Sequence, residues 1–169
     1  IQPLLDRLCA DHVDEAEAKS IALTRCHCSA TVFSDPVLIE RIVRNLISNA
    51  VRHTDSGRVV VGCRRQDEHI RVEVWDTGPG IPFQERSRIF EEYFQLKNPE
   101  RDRTMGLGLG LAIVRRLSSL LDCPVRLRSQ PGRGSCFSVE IPRATAASRA
   151  NSIDLVDTGA EVSAGLIAV

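Results

Sequence analysis

The chain has 169 residues, 43% of them hydrophobic, and its 22 basic and 22 acidic side chains leave a formal net charge of zero. That content suits one cored domain and part of another. The charge balance excludes the basic footprint of a nucleic-acid binder, and no apolar run approaches the ~20 residues of a membrane span.

The chain starts at Ile1 rather than Met and shows no signal peptide, so it reads as a piece of a longer protein. Its six cysteines are Cys9, Cys26, Cys28, Cys63, Cys123 and Cys136, and none forms a C-x-x-C pair. Cys26-His27-Cys28 has no second ligand cluster to complete a metal site, so buried thiols on a strand are the simpler reading. Reduced thiols in a cytoplasmic protein are expected.

Leu4, Leu5, Leu8, Val13 and Ala16 recur at roughly helical spacing and predict a helix over 1–20. Residues 21–28 read as a strand. Ser34-Asp35-Pro36 is a helix start, a capping side chain followed by proline in the first turn. The helix it opens runs to about Arg52. Ile39, Ile42, Val43, Leu46, Ile47 and Ala50 form its buried stripe, while Asn45, Ser48, Asn49 and Arg52 share another face. Asparagine is a mediocre helix former because its amide competes for the backbone. Two of them four apart suggest a shared ligand, whereas a solvated face would more usually carry Glu and Lys.

Strands are predicted at 58–65 and 69–76. In the second, Ile70, Val72 and Val74 alternate with Arg71, Glu73 and Trp75, so parity turns Asp76 toward the apolar side. A carboxylate there needs a partner. The rigid turn Thr77-Gly78-Pro79-Gly80-Ile81-Pro82 follows. It leaves two readings open: an Asx-type turn that consumes the carboxylate locally, or a pocket that selects a donor such as the exocyclic amine of adenine.

Residues 84–96 read as a short helix with Phe90 and Phe94 four apart, a spacing usual in cores. The charged stretch 97–104 has no apolar period and reads as a mobile loop. It leads to Gly106, Gly108 and Gly110, alternate glycines where a helix begins that turns Ile113, Val114, Leu117 and Leu121 inward. A helix N-terminus carries free N–H groups and the positive dipole end, and glycine lets an anion come close. Neither the Rossmann nor the P-loop pattern is present, so the stretch alone reads as a phosphate cradle or as a hinge.

Residues 125–129 and 135–141 predict a hairpin around 130–134. These elements together give the α+β class: a two-layer α/β sandwich, with a mixed, mostly antiparallel sheet and helices on one face. From Arg143 the composition turns small and polar, as in a linker, and the chain closes on the apolar run GLIAV.

In this order the segments resemble the catalytic ATP-binding domain of sensor histidine kinases, within the superfamily shared with gyrase, Hsp90 and MutL. NLISNAVRHT (45–54) resembles the N box, DTGPGIP (76–82) the G1 box, IFEEYFQL (89–96) the F box and GLGLGLAIV (106–114) the G2 box. The likeness covers about residues 1–142. It implies a Bergerat-type fold that binds ATP and Mg2+.

The resemblance also implies roles. Asn49 would give its side-chain oxygen to Mg2+, with Asn45 beside it and Arg52 reaching toward the phosphates. Asp76 would take the adenine amine, and Gly78 and Gly80 would let the turn close over the base. Gly106, Gly108 and Gly110 would present amides to the phosphates. Ile81, Leu107 and Leu109 count with them as nucleotide-binding positions. Residues 97–105 would be the ATP lid, anchored by Phe90 and Phe94. His53 either lies near the nucleotide or is a helix C-terminal residue favoured by the dipole.

Hydrolysing relatives carry a glutamate base where this chain has Asn45. An amide cannot activate water, which favours transfer of the γ-phosphoryl group to a protein side chain. The acceptor is not among His12, His27 or His69, whose contexts do not match the family's. The phosphoacceptor and dimerisation helices are therefore expected before Ile1, giving a monomeric piece of a homodimeric, cytoplasmic or membrane-attached parent. GLIAV resembles the first strand of a response-regulator receiver domain, the alternative being a C-terminal strand or tail without such a domain. The expected organisation is a catalytic domain over 1–142, a linker over 143–163 and the start of a receiver over 164–169, as in a bacterial hybrid kinase. Competing functions are a nucleotide-sensing or docking module, a gyrase-like ATPase, and a serine kinase of the anti-sigma type.

Overall fold

The computed structural model describes residues 1–96, 107–144 and the backbone of 167–168. In chain order the elements are α1 (Gln2–Ala10), α2 (Val13–Ala18), β1 (Ile21–Arg25), β2 (Phe33–Ser34), α3 (Pro36–His53), β3 (Gly57–Gln66), β4 (His69–Asp76), α4 (Gly110–Leu120), β5 (Val125–Gln130), β6 (Gly134–Pro142) and β7 (Ile167–Ala168). Five strands form one sheet in the order β1-β3-β4-β6-β5, and β2 pairs with β7. Among the described residues only β1 and β3 run parallel in the larger sheet. The predicted mixed, mostly antiparallel sheet is what forms.

Alternation sets the two faces of that sheet. Val74 lies opposite Val61 and Phe137, and Val72 opposite Cys63 and Val139. Ile70 faces Ile141. These side chains share a core with Leu5 and Leu8 of α1, Ile42, Val43, Leu46 and Ile47 of α3, and Val114 of α4. The other face is polar. Arg71 and Arg126 reach Glu140 at 2.8 and 2.9 Å, and the Arg126 guanidinium, ahead of Arg71, holds that carboxyl below the usual range. Glu73 is only 3% exposed, taking Trp75 Nε1 at 3.0 Å, Arg64 at 3.2 Å and Arg128 at 3.4 Å.

The start of α3 forms as its sequence requires. Pro36 opens the first turn, and Asp35 Oδ1 accepts from the amides of Val37 and Leu38 at 2.8 and 2.9 Å. At the other end Lys19 Nζ donates to the carbonyls of Val51 and Arg52 at 3.0 and 2.8 Å. An ammonium there complements the negative end of the helix.

Four expectations are corrected. The helix expected over 1–20 breaks into α1 and α2 at His12, whose Nδ1–H donates to Leu8 O at 2.8 Å. The first strand stops at Arg25, with one further ladder bond from Cys26 N to Val61 O. Residues 84–96 form no α-helix, only 3-10 turns at Phe83–Glu85 and Arg88–Phe90. Glu91 is extended and Tyr93 sits at φ +63°, so the four-residue spacing of Phe90 and Phe94 spans a break. Finally, the thiols are neither all buried nor all free: Cys26 is exposed. Cys28 and Cys63 are bridged, their Cα atoms 5.9 Å apart, because the chain leaving β1 passes beside the middle of β3.

Both ends of the folded unit meet at the loop between β1 and β2. The amine of Ile1 donates to Ala30 O at 3.1 Å, and the amide of Ala144 donates to Thr31 O at 3.0 Å. The expected linker and receiver start lie outside the described residues, except for Arg143, Ala144 and the 167–168 backbone.

Candidate nucleotide-binding site

Asp76 is the last residue of β4 and is partly buried at the top of the sheet. Its Oδ1 accepts from Gly78 N at 2.9 Å, an Asx-type turn, and from Ser135 N at 3.2 Å. Among the described residues its Oδ2 accepts no hydrogen bond. The Asx-type turn therefore uses one oxygen of this carboxylate and leaves the other without a partner among the described residues. Burial pushes the carboxyl above its ordinary range, and the Gly78 and Ser135 amides pull it partly back.

The glycine turn is wedged between α3 and the hairpin. A Cβ at Gly78 would stand 2.7 Å from His53 O, at the end of α3. Gly80 has φ +70°, and a Cβ there would stand 2.2 Å from Gln130 O. Gly132 N donates to Pro79 O at 2.8 Å. Ile81 is buried, and its amide donates to Ser129 Oγ at 2.7 Å.

The second half of the site is the start of α4. Among the described residues no side chain caps it, so its first amides carry the positive dipole end. It faces the two asparagines of α3. A Cβ at Gly110 would stand 3.0 Å from Asn45 Oδ1 and 3.7 Å from both amide atoms of Asn49. Asn45 Nδ2 donates to Arg41 O at 2.7 Å, which fixes its oxygen toward α4. Arg52 lies one turn beyond Asn49 and is partly exposed. Among the described residues its guanidinium makes no hydrogen bond or ion pair.

Gly108, at φ +67°, returns the chain to the F-box segment, where its carbonyl accepts from Tyr93 N at 3.1 Å. Leu109 is half-buried and Leu107 is 67% exposed. Phe90 packs edge-on against Phe137 with centroids 6.4 Å apart, and Phe94 lies under the Arg88 guanidinium at 4.5 Å. Gly106 and the expected lid over 97–105 lie outside the described residues. His53 is exposed at the end of α3. A separate hollow of about 400 Å³, lined by Phe90, Glu92, Ala112, Arg115, Arg116 and Ser119, includes none of Asn45, Asn49 or Asp76.

Sequence reasoning missed four residues that hold the site: Lys19, Arg86, Ser129 and Ser135. The two serines are cross-strand partners flanking the predicted hairpin turn, so its register alone could have paired them. Lys19 and Arg86 left no sequence signal. Among the described residues no group of three His, Cys, Asp or Glu side chains could hold a metal.

This arrangement is that of an ATP-binding α+β sandwich. The chain belongs to the family described as "Histidine kinase-, DNA gyrase B-, and HSP90-like ATPase", which matches residues 34–145. It is 40% identical over 108 residues to the sensor histidine kinase RcsC of Escherichia coli, covering 64% of this chain and 11% of RcsC. It is 36% identical over 143 residues to the adaptive-response sensory kinase SasA of Rippkaea orientalis, covering 80% of this chain and 36% of SasA. The chain thus spans a small part of these relatives. Among solved structures it resembles full-length ShkA in complex with AMPPNP, at TM-score 0.76 and 34% identity over 86% of this chain and 30% of that one. The catalytic domain of histidine kinase ThkA shares the fold, at TM-score 0.72 and 24% identity over 85% of this chain and 92% of that one.

Proposed function

We propose that this chain is the phosphoryl-donating half of a sensor histidine kinase. It binds Mg-ATP and passes the γ-phosphoryl group to a histidine on a phosphoacceptor domain outside the described residues. The observation that carries the reading is the pairing of the uncapped α4 start with Asn45 and Asn49, at 3.0 and 3.7 Å from a Gly110 Cβ.

Under this reading Asp76 Oδ2 accepts the exocyclic amine of adenine, and Gly78 and Gly80 keep the turn thin enough for the base. Ile81 and His53 border the base. The amides at Gly108 and Gly110, with Gly106, Leu107 and Leu109 around them, receive the phosphates. Arg52 adds a positive charge toward them. The residues present suit Mg2+: Asn49 offers one neutral oxygen, and Asn45 orients beside it. A bound Mg2+ would neutralise charge on the transferring phosphoryl group. Asn45 cannot serve as a general base for water, which disfavours a gyrase-like ATPase. Phe90 and Phe94 anchor the near end of the lid.

The reading extends to the parent protein. Residues 1–142 are the catalytic unit, 143–163 a linker and 164–169 the start of a receiver domain, so that phosphate would pass from histidine to aspartate within one hybrid chain. The parent is a homodimer through its phosphoacceptor helices, and this piece is a cytoplasmic monomer. The family boundary at residue 145 and the kinase names of the relatives support the reading. Among the described residues no helix is long and apolar enough to cross a membrane. The Cys28–Cys63 bridge is unusual for the cytoplasm.

The test is calorimetric titration with ATP and GTP, with and without Mg2+, followed by transfer to an added phosphoacceptor domain. Saturable, adenine-selective binding and a labelled histidine are expected. Asp76→Asn should abolish the preference for ATP, because an amide NH2 would oppose the base amine. Asn49→Ala should remove the Mg2+ dependence. Steady phosphate release without a labelled acceptor would replace the kinase reading with an ATPase.

A further inference from the structure

We infer that Ser129, outside all four sequence boxes, is a positioning residue for nucleobase selection. This rests on the reading of Asp76 as the adenine acceptor. The side chain of Ser129 stands where two separate supports of that carboxylate converge. Its Oγ–H donates to Gly134 O at 3.1 Å. The same oxygen accepts from Ile81 N at 2.7 Å and lies 3.0 Å from the Ser135 hydroxyl. With its own hydrogen given to Gly134, Ser129 takes the Ile81 amide and the Ser135 hydroxyl as donors.

Each partner leads to Asp76. Ser135 N donates to Asp76 Oδ1 at 3.2 Å, and Ile81 ends the turn that begins with the Gly78 bond to the same oxygen. Arg86 ties the backbone in parallel, its guanidinium reaching Ser129 O and, at 3.4 Å, Ile81 O. One hydroxyl therefore locks the turn to the hairpin and holds Oδ1 in place. The orientation of Oδ2, the oxygen left for a base, follows from that lock. Removing the hydroxyl strands the Ile81 amide and frees the turn to rock about the β4 end. A loosened carboxylate keeps its charge but loses its angle, and a directional hydrogen bond weakens with angle.

The experiment titrates the whole chain with ATP, GTP and adenosine, comparing wild type with Ser129→Ala, Ser129→Thr, Ser129→Cys and Asp76→Asn. Ser129→Ala should weaken ATP and adenosine alike by about fivefold, as expected for one lost hydrogen bond. It should shrink the ATP-over-GTP preference by a similar factor, with Ser129→Thr restoring both. Transfer at saturating ATP to an added acceptor should keep its rate, so KM moves and kcat does not. A purely structural role would lower the melting temperature and leave the ATP-to-GTP ratio alone. An unchanged ratio in folded Ser129→Ala overturns the inference. If that variant does not fold, Ser129→Cys decides: its weaker acceptor should give a smaller loss, and wild-type selectivity overturns the inference. If Asp76→Asn itself leaves ATP selectivity intact, the adenine reading has failed, and the Ser129 role with it. If Asp76→Asn loses selectivity and the Ser129 variants keep it, only the positioning role has failed.

Discussion

Gly134 lies so close to Asp76 that a Cβ on it would stand 2.0 Å from the Asp76 carbonyl oxygen. Its φ of +98° adds a backbone conformation that L side chains rarely adopt. Gly132, two residues earlier, also has positive φ, but among the described residues nothing lies within 4 Å of its Cβ position. Gly134→Ala should cost more than ~3 kcal/mol and lower the melting temperature by more than ~8 °C. Gly132→Ala should cost only about 1 kcal/mol. Thermal unfolding of the two variants separates close approach from conformation alone.

The raised Asp76 carboxyl predicts a pH dependence whose sign differs between folding and binding. Burial makes the folded carboxyl hold its proton more tightly than the unfolded chain does. Its contribution to stability is therefore full below the unfolded value and falls as pH rises through the folded one. If Asp76 takes the base amine as proposed, it does so in the ionised form, so adenosine affinity should fall as pH drops through the folded value, at a higher pH than for an exposed aspartate. Titration with adenosine from about pH 7 to about pH 4 checks this without interference from phosphate ionisation. Asp76→Asn should flatten the profile.

Lys19, the residue after α2, covers the last carbonyls of α3 from far away in sequence. Lys19→Met should destabilise the chain by about 1 kcal/mol, lowering its melting temperature by about 3 °C. Lys19→Arg should recover most of that loss. Differential scanning calorimetry of both variants is the measurement. Equal melting temperatures for wild type and Lys19→Met would mean that water replaces the ammonium without loss.

Trp75 is the only tryptophan of the chain, and its Nε1 donates to the buried Glu73 carboxylate. Arg128 lies over its ring at 5.1 Å. Glu73→Ala should strand that N–H and leave Arg64 and Arg128 without their acceptor, costing about 1–3 kcal/mol. The fluorescence of Trp75 should shift to the red as the cluster opens. Glu73→Gln, which keeps an acceptor oxygen, should shift it less.

The parts of the fold legible in the sequence are those set by one period. β4 matches its predicted bounds to the residue, because strict alternation ends in a glycine-proline turn. α3 matches because Asp35-Pro36 marks its start and its apolar stripe is unbroken. The F-box helix failed because aromatics four apart satisfy a helical pattern whatever the backbone does between them. The break at His12 failed for a related reason: a ring that takes the Leu8 carbonyl leaves no mark on the apolar spacing. In the site, Asp76 and the asparagines stood out as polar groups in unexpected places. Ser129 and Lys19 look ordinary where they stand, and only the folded chain brings them to the turn and the helix end they hold.

The attachment of Ile1 and Ala144 to neighbouring carbonyls of one loop has a mechanical consequence. That rim lies at the His69 end of β4, eight residues or about 25 Å from Asp76. Any chain joined at either side would grip the domain by the same short edge. With the sheet taken as a lever held at that edge, a turn of roughly 10° at the rim would carry the Asp76 turn through about 4 Å over that length. A rotation small enough to leave the core beside the rim undisturbed is thereby multiplied by the length of the strand into a displacement of several times an atomic contact's tolerance at Asp76.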